Sequence, residues 1–357
     1  MIAYRSFRNS DPPELVRLWN SQPRSRGRVA PLTSKLLVQN PLARLFFDPT
    51  GLIVAESNGR PVGFVHFGLA PDVASSGGSG TSGAVDDAAA GRAASRENSG
   101  PAAGAHFGAA GDGFVWQLVV DPTPASASRF EIASELLRQA EGRLRERGAR
   151  RVSIGLPCGE EAGSMPLDPF YLGLYGGCRM SGWWSDDAPL VDVALSTGYG
   201  VAATTRVYQR ELAGFRQPVD RHLMQWRGKA ALGQQTDLQP RSWLEACVLG
   251  PHSRIKFLAS PGGATSRSCE VEFWDMQPLA DGWHCRALGL LAHRWDDAAW
   301  TDGMAIFLIG EAMKSLLARG VELVELHVAE SDTRWASLCR HFGFAQVDTA
   351  TALVKDV

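Results

Sequence analysis

The side chains that most often carry chemistry are thinly spread along this chain, and their spacing excludes more than it offers. Six cysteines occur, Cys158, Cys178, Cys247, Cys269, Cys285 and Cys339, with no Cys-x-x-Cys pair and no histidine at metal-ligand spacing. Neither a zinc centre nor a dithiol redox centre is written in such a pattern, and no metal is expected. Scattered thiols fit the reducing cytoplasm; a Cys158–Cys178 bridge in an oxidising compartment is the alternative. His284 and His293 bracket a strand-like stretch and have the chemistry of a base near neutral pH, although lone histidines more often serve packing or solvent. An aromatic run, Pro169-Phe-Tyr-Leu-Gly-Leu-Tyr-Gly-Gly177 followed by Trp183-Trp184, places the hydroxyls of Tyr171 and Tyr175 among large apolar rings; a cleft wall and plain hairpin packing both suit it. Lys and Arg number 36 against 38 Asp and Glu, a formal charge of -2, with no basic cluster. That argues against a nucleic-acid partner. No apolar run reaches the ~20 residues that span a bilayer, and residues 1–13 lack the basic-then-apolar pattern of a signal peptide, so a cytoplasmic protein without a membrane partner is expected.

These groups must be held by more than one core, since 357 residues exceed the size at which a single core keeps growing. Residues 75–113 are almost wholly Gly, Ala, Ser and Asp, too poor in apolar surface to offset the entropy of ordering, and read as a disordered loop. Before it, 52–56 and 62–67 read as strands joined by the turn Ser57-Asn58-Gly59-Arg60; after it, 114–120 reads as a strand ended by Asp121-Pro122.

An internal repeat organises the rest. Aligning 131–148 with 303–320 without a gap sets Ala133 on Ala305, Leu136 on Leu308, Ala140 on Ala312, Leu144 on Leu316, and Gly148 on Gly320. Apolar positions 132, 136, 137, 140 and 144, and their counterparts 304, 308, 309, 312 and 316, give each helix one buried stripe. The closing glycine predicts a left-handed C-cap. A strand follows in both copies, 151–156 and 323–328, and both end with a helix, a Gly-aromatic pair (Gly198-Tyr199, Gly343-Phe344) and a last strand. The offset between copies shrinks between the long helix and that pair, so the first copy carries an insertion near 158–185.

This order of elements resembles the GNAT acyltransferase superfamily, and the repeat resembles a tandem of two such units. The resemblance implies an α/β fold of two domains, 1–212 and 213–357, each a mixed, mostly antiparallel sheet flanked by helices. It implies acetyl-CoA as acyl donor and a small-molecule or peptide amine as acceptor. In the family a Gln/Arg-x-x-Gly-x-Gly/Ala loop offers backbone N–H groups at a helix start to the pyrophosphate. The second copy matches with Trp300-Thr301-Asp302-Gly303-Met304-Ala305, Trp300 replacing the Gln/Arg; the first gives Ser128-Arg129-Phe130-Glu131-Ile132-Ala133, with Glu131 at the first glycine. The preceding strand, Leu291-Ala292-His293, would line the pantetheine. In the final helix Asp332 stands at the family's Asn and Cys339 at its acid Tyr; the first copy has Asp187 and Ala194. A carboxylate ~5 Å from a phosphate at an effective dielectric of about 20 costs roughly 3 kcal/mol, about a hundredfold in affinity, so donor binding is expected in the second copy. Cys339, Tyr175 and His293 are the weak catalytic candidates. Two readings stand: an acetyl-CoA-dependent N-acyltransferase, and a non-catalytic descendant binding a metabolite or protein. The oligomeric state is not legible.

Overall fold

The computed structural model describes residues 2–69, 111–123, 126–156, 167–177, 181–219, 221–262 and 268–357, with the side chains of 126, 127, 221 and 222 excepted. The low-complexity segment therefore lies outside the described residues except for 111–113, and of the insertion 167–177 and 181–185 are described. Cys158 and Cys178 also fall outside; Cys247, Cys269, Cys285 and Cys339 are free thiols.

Thirteen strands are described, all in one mixed sheet. In the first half β1 (Ile2–Ser6), β2 (Leu52–Ser57), β3 (Arg60–Leu69) and β4 (Asp112–Val120) form an antiparallel meander. A right-sized crossover, helix α1 (Ser126–Glu146), returns the chain to β5 (Arg151–Ile154), parallel to β4. The expected turn is present, with Asn58 at φ 50 and Gly59 at φ 75. The insertion contributes the short β6 (Trp183–Trp184), and helix α2 (Ala188–Ser196) leads to β7 (Gly200–Glu211). The second half repeats the plan: β8 (Ala230–Gln235), β9 (Arg254–Pro261), β10 (Cys269–Asp275) and β11 (Ala287–Arg294) are antiparallel, helix α3 (Met304–Ala318) crosses over, and β12 (Leu323–Ala329) lies parallel to β11. Helix α4 (Thr333–His341) precedes β13 (Ala345–Asp356).

The predicted stripes are the buried faces: Ile132, Leu136, Leu137, Ala140 and Leu144, and Met304, Leu308, Ile309, Ala312 and Leu316, are each at most 2% exposed. Gly148 and Gly320 cap these helices at φ 89 and 77, the left-handed region where a Cβ is strained.

The last strand of each half completes the other half's sheet. β13 pairs with β5, Leu353 opposite Ile154 and Asp356 opposite Arg151, while β7 pairs with β12, Glu211 opposite Leu323 and Thr205 opposite Ala329. Between them β7 and β13 run antiparallel along nearly their whole lengths, joining the halves into one sheet. A half-buried ion pair fastens the exchange, Lys355 Nζ on β13 donating to Glu141 Oε2 on α1 at 2.7 Å and to the Thr197 carbonyl at 2.7 Å.

Candidate functional site

In both halves the two parallel strands part after three paired residues. β4 and β5 separate beyond Phe114 and Ser153, β11 and β12 beyond Gly289 and Glu325. Beside each opening a strand bulges against its antiparallel neighbour, β4 at Trp116 opposite His66 and Phe67, and β11 at Leu291 opposite Glu272 and Phe273, which leaves Trp116 and Leu291 unpaired on that side. Two openings of like construction result, one per half.

The first is closed by the aromatic insertion. Phe170, Tyr171, Tyr175, Trp183 and Trp184 are 1–6% exposed. Tyr171 stacks on Trp19 with centroids 6.2 Å apart, and its hydroxyl lies 3.1 Å from His66 Nδ1. Tyr175 donates to Asp187 Oδ2, and Arg28 pairs with Asp187 Oδ1 at 2.8 Å, so the residue at the family's Asn position is half of a buried ion pair. Gly27 approaches the indole of Trp184 so closely that a Cβ there would lie 2.6 Å from the ring. What remains between Trp116, Ile154, Asp168, Tyr175, Ser181 and Trp184 is a small cavity with room for little more than one water molecule. Burial pushes the Asp168 carboxyl up to about 6, against two backbone N–H groups that hold it down, and pushes the His66 imidazole down to about 3. Burial raises the Tyr175 hydroxyl well above its ordinary range, with Asp187 adding to the rise. Glu131 is exposed and lies within α1.

The second opening is built differently. Leu291 is buried and Ala292 and His293 are half-buried on β11. His293 packs on Trp295 and Trp335 with centroids 4.4 and 4.9 Å away, and Trp300 meets Trp295 and Trp335 at 5.4 and 5.5 Å. Trp300 and Thr301 end the short helix Asp297–Thr301; Gly303, at φ 78, then turns the chain into α3, where Met304 and Ala305 are buried. This left-handed glycine is the close-approach feature expected of a phosphate-binding helix start. One N–H there already has a partner, since Met304 N donates to Asp302 Oδ1 at 3.0 Å, and the Asp302 carbonyl accepts from Trp226 Nε1 at 2.9 Å and from Gln225. A donor phosphate at this helix start would meet backbone free of a Cβ at Gly303 and compete with Asp302 for one amide. The residues of this half fit such a group; in the first half Ser128–Ala133, expected as the matching loop, lie inside α1 (Ser126–Glu146) and not before it, because the helix there begins at least five residues earlier than its counterpart at Met304.

The remaining candidates have other surroundings. Asp332 caps α4, accepting from Trp335 N at 3.0 Å. Cys339 is fully buried, and burial pushes its thiol up to about 12, with the Asp332 charge adding to the rise; it keeps its proton at neutral pH. Tyr175 belongs to the first opening, apart from the group around His293. Among the described residues no cluster of three or more His, Cys, Asp or Glu could hold a metal ion, and no helix is long and apolar enough to cross a membrane.

A third polar group was not legible in the sequence. On β12, Glu325 Oε1 lies 2.8 Å from His327 Nε2, and Glu325 Oε2 accepts from Gln209 Nε2 on β7 at 2.5 Å. The other ring nitrogen, His327 Nδ1, lies 3.2 Å from the Ser181 hydroxyl. Strand alternation puts Glu325 and His327 on one face, which was the available signal; Ser181 is far away in sequence.

No family model and no curated protein sequence matches the chain. Solved structures do. A tandem GNAT protein from the clavulanic acid biosynthesis pathway is similar over 100% of this chain and 98% of its own, at 14% identity and TM-score 0.53. A GCN5-related N-acetyltransferase from Sphaerobacter thermophilus is similar over 99% of this chain and 95% of its own, at 14% identity and TM-score 0.55. The glucosamine N-acetyltransferase region of a fungal multi-domain GH3 β-N-acetylglucosaminidase gives TM-score 0.61 at 14% identity, over 99% of this chain and 38% of that one. At these identities the likeness is one of fold: the chain has the fold of a tandem GNAT protein, with two such units in one mixed sheet.

Proposed function

We propose that the protein is an acyl-CoA-dependent N-acyltransferase whose second repeat unit, 213–357, holds acetyl-CoA, while the first unit, 1–212, shapes the acceptor side. The observation that carries this reading is the contrast of the openings: β11 and β12 part beside a left-handed Gly303 at the start of α3, whereas aromatic side chains leave the first opening room for little more than a water. The acceptor is an amine of small-molecule or peptide type. Binding of amine and thioester side by side supplies most of the rate through proximity, with no covalent enzyme intermediate needed. Calorimetric titration with acetyl-CoA tests it. One equivalent should bind per chain; Gly303→Glu should weaken binding by roughly a hundredfold or more, and Glu131→Ala should leave it unchanged. Two equivalents would refute the ranking of the halves.

A non-catalytic reading keeps two specific supports: Asp302 already occupies an amide of the helix start, and Cys339 and Ala194 stand where the family has its acid tyrosine. No binding of acetyl-CoA at millimolar concentration would favour that reading.

A further inference from the structure

We propose that Ser181, His327 and Glu325 form a proton relay across the seam of the two halves, which takes the proton of the acceptor amine through the Ser181 hydroxyl. The inference rests on the acyltransferase reading above and adds to it a base that neither repeat unit contains alone. Ser181 comes from the first unit's insertion, and His327 and Glu325 come from the second unit's strand β12.

The geometry fixes the direction of the relay. A carboxylate accepts and does not donate, so the 2.8 Å contact of Glu325 Oε1 places the imidazole proton on Nε2. Nδ1 is then the basic nitrogen, and it faces the Ser181 Oγ–H at 3.2 Å. Gln209 Nε2, donating to Glu325 Oε2 at 2.5 Å, holds the carboxylate in place. The carboxylate behind the ring stabilises the imidazolium that forms when Nδ1 takes a proton, as in other hydroxyl–imidazole–carboxylate arrangements recognised by role rather than by fold. The imidazole cannot swing away. Trp184 meets it edge-on with centroids 5.8 Å apart, and Gly177 approaches so closely that a Cβ there would lie 2.6 Å from Cε1.

Placement agrees with the chemistry. Glu325 is the last residue of β12 paired to β11, and His327 lies two residues beyond, where β12 pairs with β7 opposite Val207. Ser181 also lines the small cavity of the first half, which has room for a water beside its hydroxyl. Burial keeps the relay out of bulk water, with Ser181 3% and Glu325 2% exposed. Glu325 is the ionisable group seen against the ring; the insertion presents Ser181 and Trp184 and β7 presents Gln209, all uncharged.

In the transfer step the amine nitrogen forms its bond to the acyl carbon as the carbon–sulfur bond breaks. The proton lost by nitrogen passes to Ser181 Oγ while the serine proton passes to His327 Nδ1, and it is returned by the same route to the departing sulfur, leaving a neutral amide and a thiol.

Two measurements on the full chain test this. The first needs no substrate: long-range 15N–1H correlation of the labelled histidines should show the neutral His327 ring as the Nε2–H tautomer. A His327 carrying its proton on Nδ1 overturns the relay whatever the enzyme does. The second is acetyl transfer from acetyl-CoA to a panel of small primary amines. His327→Gln and Ser181→Ala should each lower kcat by a hundredfold or more while leaving the acetyl-CoA Kd unchanged. Should His327→Gln fold poorly, Ser181→Ala decides alone; wild-type kcat in that variant refutes the proposal. Wild-type protein that transfers to no amine refutes the acyltransferase reading and with it the relay's role, while the tautomer still reports its geometry.

Discussion

The opening between β4 and β5 is filled by side chains of the insertion that follows β5, whereas the one between β11 and β12 is walled by residues of its own strand, loop and helix. Both began from the same plan, with a bulged strand, three paired residues, a parting and a crossover helix. Tyr171, Tyr175 and Trp184 turn the first into core: each has a ring or hydroxyl partner, and the Arg28–Asp187 pair beneath them is buried. His293, Trp300 and Trp335 pack loosely enough that His293 and Trp300 stay half-buried. A repeat can thus keep its architecture while one copy gives up its cleft for packing and the other keeps the features of a site. That the first opening is core and the second is a site is therefore measurable as stability against binding.

The largest effect should come from emptying the first opening. Tyr171→Ala removes a fully buried ring and the partner of His66, and should cost about 3–5 kcal/mol in denaturant unfolding; a loss under 1 kcal/mol would show that the insertion is not core.

Acid should act next, through His66 and Asp168 at the first opening and through His252, which packs on Trp274 in the second half. His66 is held near 3 and His252 near 4 by burial, against an ordinary 6.5. Both take up protons in the unfolded chain first, so stability falls as pH drops below 6.5 and keeps falling towards the folded values, by roughly thirtyfold in the folding constant per histidine at pH 5. Asp168, raised to about 6 from 3.8, acts in the opposite sense: its burden on the fold is greatest above pH 6 and is relieved as it protonates, offsetting roughly tenfold by pH 5. Asp168→Asn, which keeps an oxygen for the two backbone donors, should therefore stabilise the protein at pH 7 and steepen its acid loss. Urea titrations at pH 7 and 5 check both signs.

Trp300→Ala, in the second opening, should cost only roughly 1 kcal/mol yet change acetyl-CoA affinity; a large stability loss with unchanged affinity would reverse the roles of the two regions. The smallest effect belongs to Glu131→Ala, within about 0.5 kcal/mol by thermal unfolding, because the side chain is exposed.

Local periodicity made much of this readable in advance. The stripes at 132–144 and 304–316 and their glycine caps follow from spacing alone, and two copies reinforced one another. The exchange of β7 and β13 did not, because nothing in a strand's alternation names the strand it will pair with. The second opening was partly legible, since Gly303 and Ala305 stand at a helix start where small residues have a physical use. Asp302, by contrast, gave no sign that its carboxylate would cap the amide of Met304. Ser181 and His327 were missed because they belong to different repeats and meet only when the two units share a sheet.

That shared sheet also sets a schedule on the ribosome. β5 ends at Ile154, but its neighbour β13 ends at Asp356, about 200 residues later in synthesis. At about 5–20 residues per second, the first half leaves the exit tunnel with an unsatisfied sheet edge beside β5 for roughly ten to forty seconds. Vectorial assembly, N-terminal unit first and C-terminal unit second, is therefore closed to this chain. Its opening half reaches a finished state only when the last dozen residues are free to lie down beside it, and a nascent chain stalled before residue 345 should remain accessible to protease along β5.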